Sequence, residues 1–301
     1  MASIEFGFYP KRLDLVAGQV RVSTCEHYVQ AVGDVLSSPQ VEDGWYYAPP
    51  KLRRDASARP YCSRVFPLPT THSLEHEGAE SAEHLSFLIW VLGFLAGFRL
   101  TETEAGFLDA TPVVKGKLHD MVLLGSDAES RALSHADRFW RSESKRPRVP
   151  KALTGVIHAY WLAQSPHALS FERFIYLYTA LDGCHYVHSL MHDKDARNAT
   201  HSQRVAELCS AFDVAVPPWA NSITPESIAS RRNETLHEGL FFDEPLGFSV
   251  YGGKAPTAQS QHTLLEMKNL VSRLVCGLLG LPDTGYIRSP INDRQRHEMK
   301  L

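Results

Sequence analysis

Hydrophobic and polar residues are distributed differently in the two halves of this 301-residue chain. Up to about residue 69, short runs of β-forming residues alternate with prolines and glycines, which predicts strands and loops. Residues 85–98 are uncharged and predict a helix, and residues 128–140 predict a second one. A helix over 85–98 spans about 21 Å, short of the roughly 30 Å hydrocarbon layer, so we expect it to be buried in protein rather than in a membrane.

From residue 152 onward, apolar residues recur with a helical period. The last such stripe, from Leu264 to Leu278, repeats about every 3.5 residues and is typical of bundle packing. Prolines and glycines over residues 241–258 predict a hairpin or a long loop. The polar tail after Pro282 is expected on the surface or against a partner chain. Helices are predicted over residues 152–164, from Ser170, over 202–212, over 224–239 and over 259–279.

The clearest domain boundary is the basic stretch 141–151, in which Pro147 and Pro150 favour an extended linker. We therefore expect an α+β N-terminal domain over residues 1–149 and an all-α helical bundle over residues 150–301. The positive residues of the linker either contact an RNA backbone or belong to a solvated hinge. The candidates for RNA contact are Lys145, Arg146 and Arg148.

Composition narrows the class of protein. Apolar residues make up 44% and charged residues 22%, which is ordinary for a soluble globular chain. The formal net charge of −3 gives no overall attraction to polyanions, so any RNA contact has to use a local basic patch. Five scattered cysteines without a C-x-x-C pair predict reduced thiols. Residues 1–9 lack the features of a signal peptide, so we expect a cytoplasmic protein with no membrane segment.

Two sets of residues suggest metal binding. His72, Glu75 and His76 spell H-x-x-E-H, the inverted zinc-protease motif, which requires a helix that turns both histidines toward one ion. Polar flanks and the lack of a convincing downstream glutamate instead favour a solvated loop. The second set is three histidines on one predicted helix face: His185, His188 and His192. Their first and last members lie about 10 Å apart in helical rise. We therefore expect neither a metal nor another cofactor.

The most informative motif is R-N-x-x-x-H, formed by Arg232, Asn233 and His237. It falls on a helix for which residues 224–226 (Thr-Pro-Glu) supply a capping hydroxyl, an N-terminal proline and a favourable acid. Gly239 is the expected end of that helix. Arg232 is predicted on the apolar face, where an unpaired charge is costly, so it needs a carboxylate, a carbonyl or a phosphate as its partner.

This motif resembles the signature of the HEPN superfamily, whose RNases carry an arginine, then a polar residue and, a few positions on, a histidine. The resemblance covers the C-terminal half of the chain and points to the ApeA-like group of bacterial anti-phage proteins. It implies a metal-independent endoribonuclease that leaves a 2′,3′-cyclic phosphate and a 5′-OH, in anti-phage defence or toxin–antitoxin control. It also implies a homodimer through the C-terminal bundle, with paired motifs lining one cleft.

The same resemblance suggests that the N-terminal half senses a regulatory ligand or partner. The alternative is a HEPN bundle without catalysis, which binds RNA or nucleotides and dimerises. The presence of both Arg232 and His237 favours the enzyme, because a scaffold has no need of either residue.

The residue types suit RNA cleavage, because RNA carries its own nucleophile, the 2′-OH. His237 can act as base or acid near neutral pH. Arg232 matches two phosphate oxygens, and Asn233 is placed to orient the phosphate or the imidazole. Arg232 and His237 are five residues apart, about 140° around a straight helix. Either the helix bends near Thr235, or two motifs meet at a dimer interface.

The buried face of the predicted helix that starts at Ser170 becomes polar at Asp182 and His185. Ordinary explanations are that Asp182 caps another helix and that His185 is a hydrogen-bonded core histidine. The functional interpretation makes Asp182 the acidic partner of Arg232 or His237. In that interpretation His185, together with Arg231, supports the catalytic residues.

Overall fold

The computed structural model describes residues 2–62, 64–102, 106–220, 227–237, 242–243, 247–248, 260–282 and 284–301. Its helices are α1 (Tyr28–Leu36), α2 (Ala82–Ala96), α3 (Ala128–Ser142), α4 (Arg148–Leu162), α5 (Ser170–Met191), α6 (His201–Ala211), α7 (Ile228–His237), α8 (Ser260–Leu278) and α9 (Thr284–Ile287). Short 3₁₀ turns lie at Ala196–Asn198 and Pro218–Ala220.

The strands are β1 (Ala2–Phe6), β2 (Leu15–Ala17), β3 (Val20–Thr24), β4 (Val41–Glu42), β5 (Trp45–Tyr47), β6 (Pro50–Leu52), β7 (Ala58–Cys62), β8 (Val65–Phe66), β9 (His72–His76), β10 (Phe107–Leu108), β11 (Ala110–Pro112), β12 (Met121–Leu124), β13 (Phe242–Asp243), β14 (Gly247–Phe248) and β15 (His297–Lys300). The chain forms two compact units. Unit 1 contains residues 1–118, 123–141 and 165–167, and unit 2 contains residues 119–122, 142–164 and 168–301.

Unit 1 contains both strands and helices, as expected for the N-terminal part. Its main sheet is antiparallel with the strand order β1-β9-β3-β2, and it pairs Phe6 with His72 and Val22 with Leu74. Helix α2 contacts β1 and is buried over most of its length, which confirms the predicted buried helix. The Ser81 side chain caps its start. Gly97 ends it in the left-handed conformation that favours glycine.

Two elements of unit 1 differ from the expectation. Helix α1 lies within the region predicted as strands and loops, and it buries Tyr28, Ala31 and Val35 at helical spacing. The solvated loop predicted over residues 72–76 is wrong, because these residues form the central strand β9. The alternating residues His72, Leu74 and His76 are buried there. The histidines made the strand look polar in the sequence.

Unit 2 is organised around α5, which is packed by α4, α6, α7 and α8. These helices confirm the apolar stripes of the sequence. Helices α4 and α5 approach closely at Gly183, where a Cβ atom would lie 2.7 Å from Val156 Cγ2. A side chain at position 183 would therefore require Val156 or one of the two helices to move.

The extended linker predicted over residues 141–151 is also wrong. Helix α3 ends at Ser142 and α4 begins at Arg148, so Pro147 and Pro150 lie at the start of a helix. Proline is tolerated there because the first helical amides have no intrahelical acceptor. Between the two helices, Arg146 Nε donates to Glu143 at 2.9 Å, and Arg146 also binds the carbonyl of Met191.

The C-terminal tail is part of the core rather than a surface segment. Tyr286 and Met299 are buried, and the His297 amide at the start of β15 donates to the Asp120 carbonyl at 2.8 Å. β15 pairs with β12, and β13 pairs antiparallel with β14 within the region for which a hairpin or a long loop was predicted. We expected the C-terminal half to be all-α, and the strands β13, β14 and β15 show that it is not. Among the described residues, no helix combines the length and the apolar character needed to cross a bilayer.

A fully buried arginine on α8 holds this tail. Arg273 Nη2 binds Asp120 Oδ2 at 3.0 Å, and its Nε donates to the Ser289 carbonyl at 3.0 Å. Its Nη1 donates to the Asn269 carbonyl at 2.9 Å. The Tyr286 hydroxyl donates to the other carboxylate oxygen of Asp120 at 2.7 Å. One guanidinium thus connects α8, residues 119–122 and the tail.

We predict that Arg273→Leu lowers the free energy of unfolding by about 3–5 kcal/mol, because it leaves the Asp120 carboxylate buried without its cation. Urea denaturation at pH 7 measures this change. Arg288→Ala is the matched control, since Arg288 and Asp213 form an ion pair on the surface. A loss for Arg273→Leu no larger than that of the control would contradict a central role for this ion pair.

Candidate functional site

Helix α7 carries the R-N-x-x-x-H motif. Arg232 is half-buried and Asn233 is exposed, and Arg232 Nη1 donates to Asn233 Oδ1 at 2.9 Å. The predicted polar residue of the motif therefore contacts the arginine directly. The side chains of Arg231 and His237 lie outside the described residues, as do residues 224–226 and 239, so the predicted roles of these residues stay predictions.

Asp182 of α5 lies in a network with two residues of α6. Arg204 Nη1 is 3.1 Å from Asp182 Oδ1, and His201 Nδ1 is 3.4 Å from Asp182 Oδ2. The Tyr178 hydroxyl, one turn earlier on α5, lies 2.7 Å from the same nitrogen of His201. The sequence predicted Asp182 as the acidic partner of Arg232 or His237, whereas its described ion pairs are with Arg204 and His201, which the sequence did not single out.

Arg232 acts on this network electrostatically. Burial raises the pKa of Tyr178 and the charge of Asp182 raises it further, while the positive charges of Arg232 and Arg204 work in the opposite direction. The phenol therefore stays protonated and can donate its hydrogen to His201 Nδ1, which leaves the proton of a neutral imidazole on Nε2. We call these five residues from α5, α6 and α7 the three-helix cluster: Tyr178, Asp182, His201, Arg204 and Arg232.

The three-helix cluster suits an anionic ligand. It contains two arginines and one carboxylate, so its formal charge is positive although the chain carries −3. Asp182, His201 and Arg204 are all partly exposed, which leaves them accessible to a ligand. Guanidinium groups match pairs of phosphate oxygens. The cluster therefore carries a small local excess of positive charge.

A polar cleft lies one helical turn further along the same helix pair. His185 Nε2 lies 3.1 Å from Glu207 Oε2, so His185 is buried with a hydrogen-bond partner, as in the ordinary explanation of this residue. Residue numbers increase on both helices from the contact Asp182–Arg204 to the contact His185–Glu207. Helices α5 and α6 therefore run parallel. The segment 192–200 returns along α5 to make this possible, and it forms one wall of the cleft.

His188 lines this cleft and is uncharged at neutral pH. Burial lowers its pKa to about 4, assisted by the neighbouring His192, Lys194 and His185, and opposed by Glu207. The ring packs against His192, with centroids 4.4 Å apart, and edge-on against Phe212 at 5.9 Å. These contacts hold the neutral imidazole in a defined plane.

The inverted zinc motif does not form a metal site. His72 and His76 point to one face of β9 and Glu75 to the other, because side chains alternate along a strand. His76 Nε2 instead lies 2.9 Å from Asp137 Oδ1, and His84 Nε2 lies 3.0 Å from the same oxygen. These three groups lie within 4.8 Å of one another, a spacing that a metal ion would accept.

The hydrogen bonds around Asp137 indicate that protons, rather than a metal ion, connect Asp137 with His76 and His84. The Gly78 amide donates to His76 Nδ1 at 2.9 Å, so a neutral His76 carries its proton on Nε2, the atom that would have to bind the ion. Arg141 Nε donates to both oxygens of Asp137, at 3.2 and 3.0 Å. Burial works to raise the pKa of Asp137, but hydrogen bonds from His84, His76 and Arg141 hold it well below its usual range.

Of the predicted RNA-contacting residues, Lys145 and Arg146 lie between α3 and α4, and Arg148 is the first residue of α4. Lys145 and Arg148 are exposed, while Arg146 is engaged by Glu143 and Met191. Comparison with protein-family models, with curated proteins and with solved structures finds no match.

We predict that the imidazole of His188 titrates near pH 4. Since the ordinary value is 6.5, the unfolded chain binds a proton between these pH values that the native state does not bind. The contribution of this group to the free energy of unfolding is therefore fully present above pH 6.5 and is lost as the pH falls toward 4. NMR titration of the imidazole, and urea unfolding of the wild type and His188→Phe at pH 7 and 5, measure this. A midpoint near 6.5 would contradict it.

Proposed function

We propose that unit 2 carries a metal-independent endoribonuclease site of the HEPN type, which cleaves RNA by attack of the 2′-OH on the adjacent phosphate. The observation that carries the proposal is the three-helix cluster. The positive charges of Arg232 and Arg204 both work against the raised pKa of the buried Tyr178 phenol, whose hydroxyl lies 2.7 Å from His201 Nδ1. An effect of the motif arginine on this group of polar residues supports the proposal.

In this mechanism Arg232 and Arg204 bind the scissile phosphate and stabilise the charge that grows on it in the transition state. Asn233 fixes the plane of Arg232 through its 2.9 Å hydrogen bond. His237 removes or supplies a proton, as the motif implies. Asp182 orients Arg204 and limits the excess positive charge when no RNA is bound.

The cellular role follows from the resemblance alone. We propose a part in anti-phage defence or toxin–antitoxin control, with a cytoplasmic location and with regulation through the N-terminal part. We also propose a composite site in a homodimer, because Arg232 and His237 are too far apart around one helix to address one phosphate. A HEPN module that binds RNA without cutting it is the alternative to be tested.

Wild-type protein should cleave labelled single-stranded RNA in EDTA. Arg232→Ala should reduce cleavage by about 10²–10³-fold, because it removes charge stabilisation in the transition state. His237→Ala should reduce it by about 10²–10⁴-fold, because it removes proton transfer. Single-turnover rates at saturating enzyme measure both effects, and the products should carry 2′,3′-cyclic phosphate ends.

Arg296→Ala, a change at an exposed arginine of the tail, is the control for loss of positive charge and should cleave at the wild-type rate. Circular dichroism and thermal melting check that every variant is folded. Cleavage that survives both Arg232→Ala and His237→Ala would exclude this site. Binding of RNA to the full-length protein without cleavage would favour the non-catalytic module.

We predict a homodimer at micromolar concentration, measured by light scattering. If the site is composite, mixing Arg232→Ala with His237→Ala protein should restore part of the activity, since mixed dimers can assemble one site with both wild-type residues. A monomer that cleaves at full rate would exclude the composite site while leaving the nuclease in place.

A further inference from the structure

The polar cleft beside the three-helix cluster has the size of a ligand site. It has a volume of about 680 Å³, within the roughly 300–1,000 Å³ of sites for small molecules. It lies between α5, α6 and the return segment, and His185, His188, Lys194, Asn198 and Glu207 are among its lining residues. Asp182 precedes His185 by three residues, and Arg204 precedes Glu207 by three, so the cleft begins about 4.5 Å along both helices from the cluster.

The charges of the cleft disfavour a phosphate inside it. Asp193, Asp195 and Glu207 line it together with one cation, Lys194. A strand whose phosphate is held by the arginines of the cluster would therefore turn a base, rather than its backbone, into the cleft. Single-stranded RNA is commonly recognised through bases that are splayed out in this manner.

Glu207 is the carboxylate best placed to read a base. Asp195 is bound by Arg197 Nη2 at 3.0 Å, and Asp193 lies 3.8 Å from Arg146. Glu207 has 54% of its side chain exposed, and His185 holds one of its oxygens at 3.1 Å. Each carboxylate oxygen can accept more than one hydrogen bond, so a fixed pair of acceptors faces the cleft.

The wall of the cleft suits a flat, uncharged ring. His188 is neutral over the physiological range, so it attracts no phosphate, and its contacts with His192 and Phe212 hold its plane. Imidazole rings stack on bases in single-stranded recognition. The amide of Asn198 adds a donor and an acceptor at the return segment.

We propose that this cleft binds a guanine base of the RNA strand, with its N1–H and N2–H groups donating to Glu207 and its ring against His188. Guanine presents two adjacent donors on its Watson–Crick edge, which match the two oxygens of one carboxylate. Adenine and cytosine present one amino group, and uracil presents one N–H. The proposal deepens the proposed function and rests on it, since the cluster's phosphate fixes where the base enters.

The test measures mononucleotide binding to the full-length protein, using 5′-GMP, AMP, CMP and UMP. NMR shifts of the His188 imidazole report occupancy, and isothermal titration gives affinities. We expect GMP to bind at least about 10-fold more tightly than UMP, the difference that one good bidentate pair provides. Glu207→Gln should abolish this preference, because an amide replaces one acceptor with a donor.

Asp195→Asn is the matched control, since it removes a carboxylate of the same cleft that is already bound by Arg197. It should keep the preference for GMP. Equal affinity for the four nucleotides, or GMP binding that leaves the His188 resonance unmoved, would overturn the inference. So would a preference that Asp195→Asn and Glu207→Gln reduce equally.

Cleavage of oligonucleotides with one G or one A separates this inference from the nuclease itself. Cleavage that is indifferent to the base, and unchanged in Glu207→Gln, would reject the guanine cleft and leave the nuclease standing. GMP binding at His188 without any cleavage would reject the nuclease and keep the cleft. If the folded wild-type protein neither binds GMP nor cleaves RNA, the guanine cleft and the nuclease are both rejected.

Discussion

The buried guanidinium of Arg273 is the interaction on which the rest of unit 2 depends. A charge with 0% exposure is tolerable only when a counter-ion and acceptors surround it, and Arg273 obtains these from three separate parts of the chain. Meeting this requirement fixes the tail and residues 119–122 against α8. Helix α8 in turn packs on α5, the helix that carries Tyr178 and Asp182. Helix α5 is thus packed against a part of unit 2 in which any rearrangement would leave the buried charge of Arg273 without its partners, at a large cost in free energy.

The sequence predicted the elements whose apolar residues repeat without interruption. Helix α2 and the stripe on α8 were found this way, because their burial leaves a regular pattern. Strand β9 was missed because two of its inward residues are histidines, which are hydrogen-bonded in the core but look polar in a sequence. The start of α4 was missed because Pro147 and Pro150 signal a linker as readily as a first helical turn. For β9, the deciding fact is its pairing with β1 and β3, which are distant in the sequence.

The candidate site divides in the same way. Arg232, Asn233 and Asp182 were singled out as candidates, by a local motif and by a polar break in an apolar face. His201 and Arg204 were not, because their meeting with Asp182 requires α5 and α6 to run parallel, and consecutive helices with a short connection are usually antiparallel. A signal was nevertheless present. His201, Arg204 and Glu207 recur every three residues and mark one polar edge of α6.

That edge changes character along its length, and under the proposed function the change would let a chain with a net charge of −3 bind RNA. In the proposed site, Arg204 and Arg232 offer charge for a single phosphate, and one turn after Arg204 along α6, Glu207 offers acceptors for a base. Each phosphate neutralised on a single strand contributes only about −0.7 to the slope of log affinity against log salt concentration. Two arginines therefore provide weak nonspecific binding with a small salt dependence. Discrimination between RNA sequences must then come from the base, because a carboxylate left without a hydrogen-bond donor in the cleft is costly in free energy. A site of this kind selects its RNA by what enters the cleft rather than by how strongly it holds the backbone.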